Sequence, residues 1–169
     1  MTKNLRILAL LIFLACVALM GFGLYLQHFK NLDPCPLCIF QRVAFIAVGV
    51  IALIAFLHNP RGVGRVVYGV LITLSATAGV GIAARHAWIQ RFPESAAASC
   101  GADLGYMVDR FSLARVLPMV FKGEGECSSA GWYFLGLTIP EWALVWFVLF
   151  VAAGVMMAVA KQRRPRRLG

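Results

Sequence analysis

The stretch DPCPLCIFQR, residues 33–42, sets two cysteines three positions apart and an arginine four positions beyond the second. A Cys-x-x-Cys pair serves thiol–disulfide exchange, metal ligation or haem attachment. Haem attachment of the c type needs histidine directly after the second cysteine. Ile39 stands there, which excludes it. A four-cysteine zinc site would have to recruit Cys100 and Cys127, whose wide separation lacks the usual short ligand spacing. A purely structural bridge between Cys35 and Cys38 closes a very small ring and gains little from restricting the unfolded chain. The pair is more plausible as a redox device than as a staple or a metal site. Pro36 suits the first turn of a helix, where its missing N–H costs nothing. The second helix therefore begins near Cys35, and both sulfurs sit by its N-terminal N–H groups and positive dipole end. That setting favours thiolate, the reactive species.

Arg42 lies one helical turn past Cys38 on the same face. A cation there can stabilise a thiolate or bond an acceptor oxygen on a ligand. Cations in or beside a membrane are costly and tend to mark function, although an interfacial arginine can snorkel to water. His86 stands at a comparable depth, at the end of the third apolar run. It is either a polar residue closing a helix or a ligand contact.

The elements that must position these groups are apolar. The chain has 169 residues, 61% hydrophobic and 14% charged. Soluble domains carry about 25% charged residues, so the composition indicates an integral membrane protein. Four uncharged runs cover residues 7–26, 43–57, 66–84 and 142–160. A helix of about 20 residues crosses the hydrocarbon core, roughly 30 Å. The run 43–57 is too short alone and spans only if the helix takes in residues 39–42. The expected fold is an all-α, four-helix transmembrane bundle forming a single domain over 1–169. Its helices lie near 7–26, 39–57, 66–84 and 142–160, and its outer loops at 27–38 and 85–141.

Charge sets the orientation. Lys3, Arg6, Arg61, Arg65 and the tail KQRRPRR fall on one side with no acid, while all 7 acidic residues fall on the other. Short loops rich in Lys and Arg stay cytoplasmic. Both termini are then inside and the cysteine-bearing loops outside. A basic tail directly after a span suits lipid headgroups better than nucleic acid. The first run is too long for a signal peptide and leaves through GLYLQHF rather than a small-residue cleavage site, so it reads as a retained helix.

Within the larger outer loop, residues 104–117 place Leu104, Met107, Val108, Phe111 and Ala114 near one helical face. This segment is either an amphipathic helix on the membrane surface or a helix packed on the bundle top. Trp132, Tyr133, Trp142 and Trp146 surround the start of the last helix, as interfacial anchors do. Of the 5 cysteines, Cys16 lies within the first helix and reads as a small packing residue. The other four fall in the compartment where disulfides persist. Three pairings are open to them, and proximity favours Cys35 with Cys38 and Cys100 with Cys127.

These features together resemble the disulfide bond formation protein B (DsbB) family along essentially the whole chain. The resemblance is carried by PCPLCIFQR after the first helix, RHAWIQRFP entering the large outer loop, Cys100, and GECSSAGWYFLGLTIPEW leading into the last helix. It implies a bacterial inner-membrane oxidase working in the DsbA–DsbB–quinone relay that keeps the periplasm oxidising. On this resemblance Cys100 forms a mixed disulfide with a reduced, DsbA-like thioredoxin-fold partner. Cys127 is the sulfur then released, and it attacks Cys35. Cys38 is left as a thiolate facing a membrane quinone, with ubiquinone ranked ahead of menaquinone. Arg42 matches the arginine beside the quinone, and His86 a histidine nearby. Pro36 varies within the family, and Cys16 is not part of its pattern. The rival function is a disulfide-stapled membrane scaffold or small transporter, whose thiols would exchange with nothing.

Overall fold

The computed structural model describes residues 3–30, 35–60, 62–92 and 133–160. Cys100, Cys127, residues 104–117 and the basic tail lie outside these described residues. Four long helices dominate: α1 (Lys3–Lys30), α2 (Pro36–His58), α3 (Val63–Arg91) and α4 (Ile139–Val159). All four are long and apolar enough to cross a membrane. The protein is a multi-pass membrane protein built as an all-α, four-helix bundle.

The helices outrun the apolar runs that announced them. α1 continues to Lys30, α2 begins at Pro36, and α3 continues to Arg91. An apolar run measures the hydrocarbon thickness. A helix continues past it wherever the backbone ladder is kept and one face still packs. On α3, Ala76, Gly79, Ala83, His86 and Ile89 remain buried at helical spacing. Residues 85–91, expected in the outer loop, therefore belong to α3, and His86 lies inside a helix rather than at its end.

Local chemistry sets the ends. Asn59 closes α2 in the left-handed region, φ 46°, donating its N–H to Ala55 O at 3.1 Å. Pro60 then cannot extend the helix. Before α4 a two-stranded hairpin pairs β1 (Tyr133–Phe134) with β2 (Leu137–Thr138). Its two turn residues, Leu135 and Gly136, both have positive φ, 53° and 78°. That is the type I′ geometry that matches strand twist. Glu141 Oε2 accepts the Thr138 N–H at 2.8 Å and starts α4. Trp142 Nε1 donates to Phe134 O at 3.0 Å and ties the hairpin to that helix.

α1 packs on α2, α2 on α3, and α3 closely along α4. Lipid is as apolar as a leucine side chain, so burial alone does not drive helices together. Close approach through small residues does. Gly69 faces α4, where a Cβ would stand 2.7 Å from Ala158 N and 2.8 Å from Gly154 O. A Cβ on Gly79 would enter the ring of Phe147. Phe147 in turn stacks on Phe45 of α2, with centroids 4.1 Å apart. Cys16 is buried, its Cβ 3.1 Å from the position a Cβ on Gly49 would take, so it seals the α1–α2 seam. Outward faces carry Leu11, Leu14, Val50, Leu74 and Leu149, as lipid contact requires.

Candidate functional site

The site is built on the first turns of α2. Cys35 precedes the helix in extended conformation, with φ −65° and ψ 162°, and Pro36 takes the first helical position. Pro36 and Leu37 are buried and fix the helix mouth in the bundle. Cys35 Sγ accepts the Cys38 N–H at 3.4 Å, the place a capping oxygen would occupy. The turn therefore folds the two side chains toward each other. Their Sγ atoms lie 3.0 Å apart, about 1 Å more than a disulfide bond. Small rotations about χ1 separate dithiol from disulfide.

α3 supplies the next group. His86 is 1% exposed, and its Nε2 stands 3.5 Å from Cys35 Sγ. Two glutamine amides flank the ring. Gln41 Nε2 lies 3.3 Å from Nδ1, and Gln90 Nε2 lies 3.4 Å from the His86 Nε2. A neutral imidazole has one N–H and one lone pair, so two amide groups cannot both donate to it. Gln90 Oε1 is buried without a hydrogen-bond partner among the described residues. An amide's oxygen and nitrogen are interchangeable in shape. Turning the Gln90 amide brings Oε1 to the ring, where it can accept an N–H from Nε2. Gln41 then donates to Nδ1, and the Nε2–H faces Gln90 Oε1 and Cys35 Sγ. A donor aimed at a sulfur favours its thiolate.

Arg42 points elsewhere. Its Nη1 donates to Gln27 Oε1 at 2.7 Å and its Nη2 to Gly23 O at 3.3 Å, both on α1. These partners are neutral oxygens, so they orient the guanidinium without cancelling its charge. No Cβ intervenes at Gly23, where one would lie 3.8 Å from Nη2. Arg42 thus holds a positive charge one turn below the thiols on the α1 side, while His86 approaches them from α3. At the α3–α4 rim, Arg91 bridges to Glu141 at 2.6 Å and braces the end of the helix that carries His86.

Of the residues marked by sequence, the structure brings Cys35, Cys38 and His86 into one cluster, with all ligand atoms within 4.8 Å of one another. Arg42 sits beside it on the same helix. Cys100 and Cys127 lie outside the described residues. Sequence reasoning missed Gln27, Gln41 and Gln90. The available signal was the cost of an unpaired amide in an apolar span: Gln41, 4% exposed on α2, had to have a partner.

Comparison with known proteins identifies the family. Residues 5–157 match the family described as "Disulfide bond formation protein DsbB". A protein named "Disulfide bond formation protein B" from Azoarcus sp. (strain BH72) is 51% identical over 145 residues, 86% of this chain and 87% of that one. Its namesake in Methylobacillus flagellatus is 49% identical over 150 residues, 89% and 90% of the two chains. The one in Saccharophagus degradans is 48% identical over 153 residues, 90% and 92%.

Proposed function

The chain belongs to the disulfide bond formation protein DsbB family, a disulfide-forming oxidoreductase of the membrane, and on that premise we propose that it reoxidises a periplasmic, DsbA-like thioredoxin-fold oxidase and sends the electrons through two cysteine pairs to a quinone. The observation that carries this reading is the contact between Cys35 and Cys38 at a helix mouth, flanked by buried His86. A dithiol placed at the bilayer edge can take electrons from a partner in the aqueous phase and pass them to an acceptor dissolved in the lipid.

The partner's thiolate attacks the Cys100–Cys127 disulfide at Cys100 and releases Cys127. The partner's second thiolate then resolves the mixed disulfide and leaves as an oxidised protein. Cys127 attacks Cys35 of the second pair and releases Cys38 as a thiolate; Cys100 then attacks Cys127, which restores the outer disulfide and releases Cys35. Exchange of this kind is fastest when the leaving sulfur is a stable anion. The N-terminus of α2 and the Arg42 charge stabilise Cys38, and the His86 Nε2–H steadies Cys35 between steps. Two electrons and two protons leave the partner dithiol in each cycle. A membrane quinone, ubiquinone ahead of menaquinone, supplies the two-electron sink. Arg42 and His86 are the residues that would hold its oxygens. Gln27 and Gly23 hold the Arg42 head in place, and Gln41 holds the ring.

The orientation belongs to the same reading. Four consecutive spans return the chain to its starting side, and the basic ends mark that side as cytoplasmic. The site then opens to the periplasm at the inner membrane.

The test mixes detergent-purified protein with a reduced thioredoxin-fold oxidase and a soluble ubiquinone analogue, and follows quinone absorbance. Turnover should need the partner dithiol and should vanish in Cys38→Ser and in Cys100→Ser. Full turnover in either variant, or none with competent ubiquinone and menaquinone analogues, would overturn the relay.

A further inference from the structure

We propose that Cys35, Cys38 and His86 form a binding site for a borderline-soft divalent cation of the zinc type, open only while the two cysteines are reduced. The donor set is right for such an ion: two thiolates in Cys-x-x-Cys spacing on one helix and an imidazole from its neighbour. The distances fit as well. Zinc bonds sulfur at about 2.3 Å and imidazole nitrogen at about 2.0–2.1 Å, so tetrahedral ligands lie about 3.5 Å apart for S and N and about 3.8 Å for S and S. Cys35 Sγ and His86 Nε2 already stand 3.5 Å apart. The two sulfurs, 3.0 Å apart, need to open by about 0.8 Å to reach that geometry.

The surroundings supply the outer support such a site needs. A metal-bound histidine donates its other ring N–H to a fixed acceptor. Gln41 lies 3.3 Å from Nδ1, and a turn of its amide offers Oε1 to that N–H. With Nε2 bound to the ion, Gln90 Oε1 loses the N–H it would accept and can fill the fourth position or hydrogen-bond a water there. Fewer than four protein ligands is the pattern of an open site rather than a structural one.

Binding is an exchange of protons for metal. Two S–H bonds give up their protons, two metal–sulfur bonds form, and no electron moves. A disulfide offers neither thiolate, so oxidation of the pair expels the ion. The site is therefore a sensor of the pair's redox state, and the ion is a reversible brake on its reoxidation. The metal site itself does not depend on the identity of the electron acceptor.

The test uses the full chain in detergent with Cys100→Ser and Cys127→Ser, which removes the outer-loop thiols, and anaerobic Co2+ as the spectroscopic probe. The reduced protein should bind one equivalent and show sulfur-to-cobalt charge transfer with the strong visible bands of tetrahedral cobalt. Zn2+ should displace it and bleach the spectrum. The oxidised protein should show neither band. His86→Ala should weaken binding by about 100-fold, the upper range for loss even of a partner outside the ligand shell. His86→Cys should restore binding with a more sulfur-rich spectrum, which separates a lost ligand from a lost fold. Absence of the bands with both thiols titratable, equal binding to oxidised protein, or an unchanged spectrum in His86→Ala would each overturn the site.

Discussion

The guanidinium of Arg42 is held on α1 by Gln27, with Nη1 2.7 Å from Oε1, and not by the cysteines one turn above it. A long side chain on a helix edge otherwise samples many rotamers. Here the charge is kept in one place, at the depth where an apolar acceptor would meet it.

Gln27→Ala should therefore act through Arg42. Loss of a hydrogen bond to a charged group is worth about 1.5–3 kcal/mol, roughly a tenfold or larger change in an equilibrium. The expected result is about a tenfold rise in KM for the quinone analogue. Oxidation of the partner by pre-oxidised enzyme should proceed at its normal rate, because that step uses other residues. Arg42→Ala should shift the same constant further. An unchanged KM in both variants would remove Arg42 from the acceptor site.

Gln41 sets the protonated nitrogen of His86. Gln41→Leu leaves Nδ1 unpaired in the bundle, which costs about 1–3 kcal/mol. Thermal unfolding in detergent should show the loss. Alkylation of Cys35 in the reduced protein should slow as well, because the Nε2–H no longer faces its sulfur in one fixed tautomer. Gln41→Glu replaces the donor with a carboxylate that accepts when ionised, so it should draw the ring proton to Nδ1 and alter the pH profile of alkylation. If Gln41→Leu leaves both readouts at their normal values, the tautomer assignment fails.

Two glycines on α3 make opposite predictions. Gly79 faces Phe147 with no room for a side chain, whereas nothing lies within 4 Å of the Cβ position at Gly81. Gly79→Leu should cost about 1–3 kcal/mol or more by overpacking and should loosen α3 from α4. Gly81→Ala should be neutral or stabilising by up to about 1 kcal/mol, from reduced freedom of the unfolded chain. Equal melting temperatures for the two variants would contradict the packing described for Phe147.

Leu135 occupies the left-handed region at φ 53° with its side chain 78% exposed. A non-glycine residue there costs about 1–2 kcal/mol, and the exposed side chain returns little by packing within the protein. Leu135→Gly should raise hairpin stability by about 1 kcal/mol, read as slower amide exchange across Tyr133–Thr138. Faster exchange would mean that the leucine is anchored by contact with lipid.

The sequence by itself determined the class of protein and the number of spans. Hydropathy and length are sums over residues, and a membrane reads them as sums. Pro36 and Cys35 likewise carry their helix start in local bonding alone. The ends of α1 and α3 were not legible, because a helix beyond the hydrocarbon continues only where a neighbour covers it. His86 shows the consequence: its spacing marked a depth, and only the crossing of α3 on α2 brought its ring to Cys35. The same crossing paired Gln41 with that ring across 45 positions of chain, and the seam between α1 and α2 paired Arg42 with Gln27. Contacts between helices depend on which small residues let the backbones approach, and no periodicity within one helix records what stands opposite it.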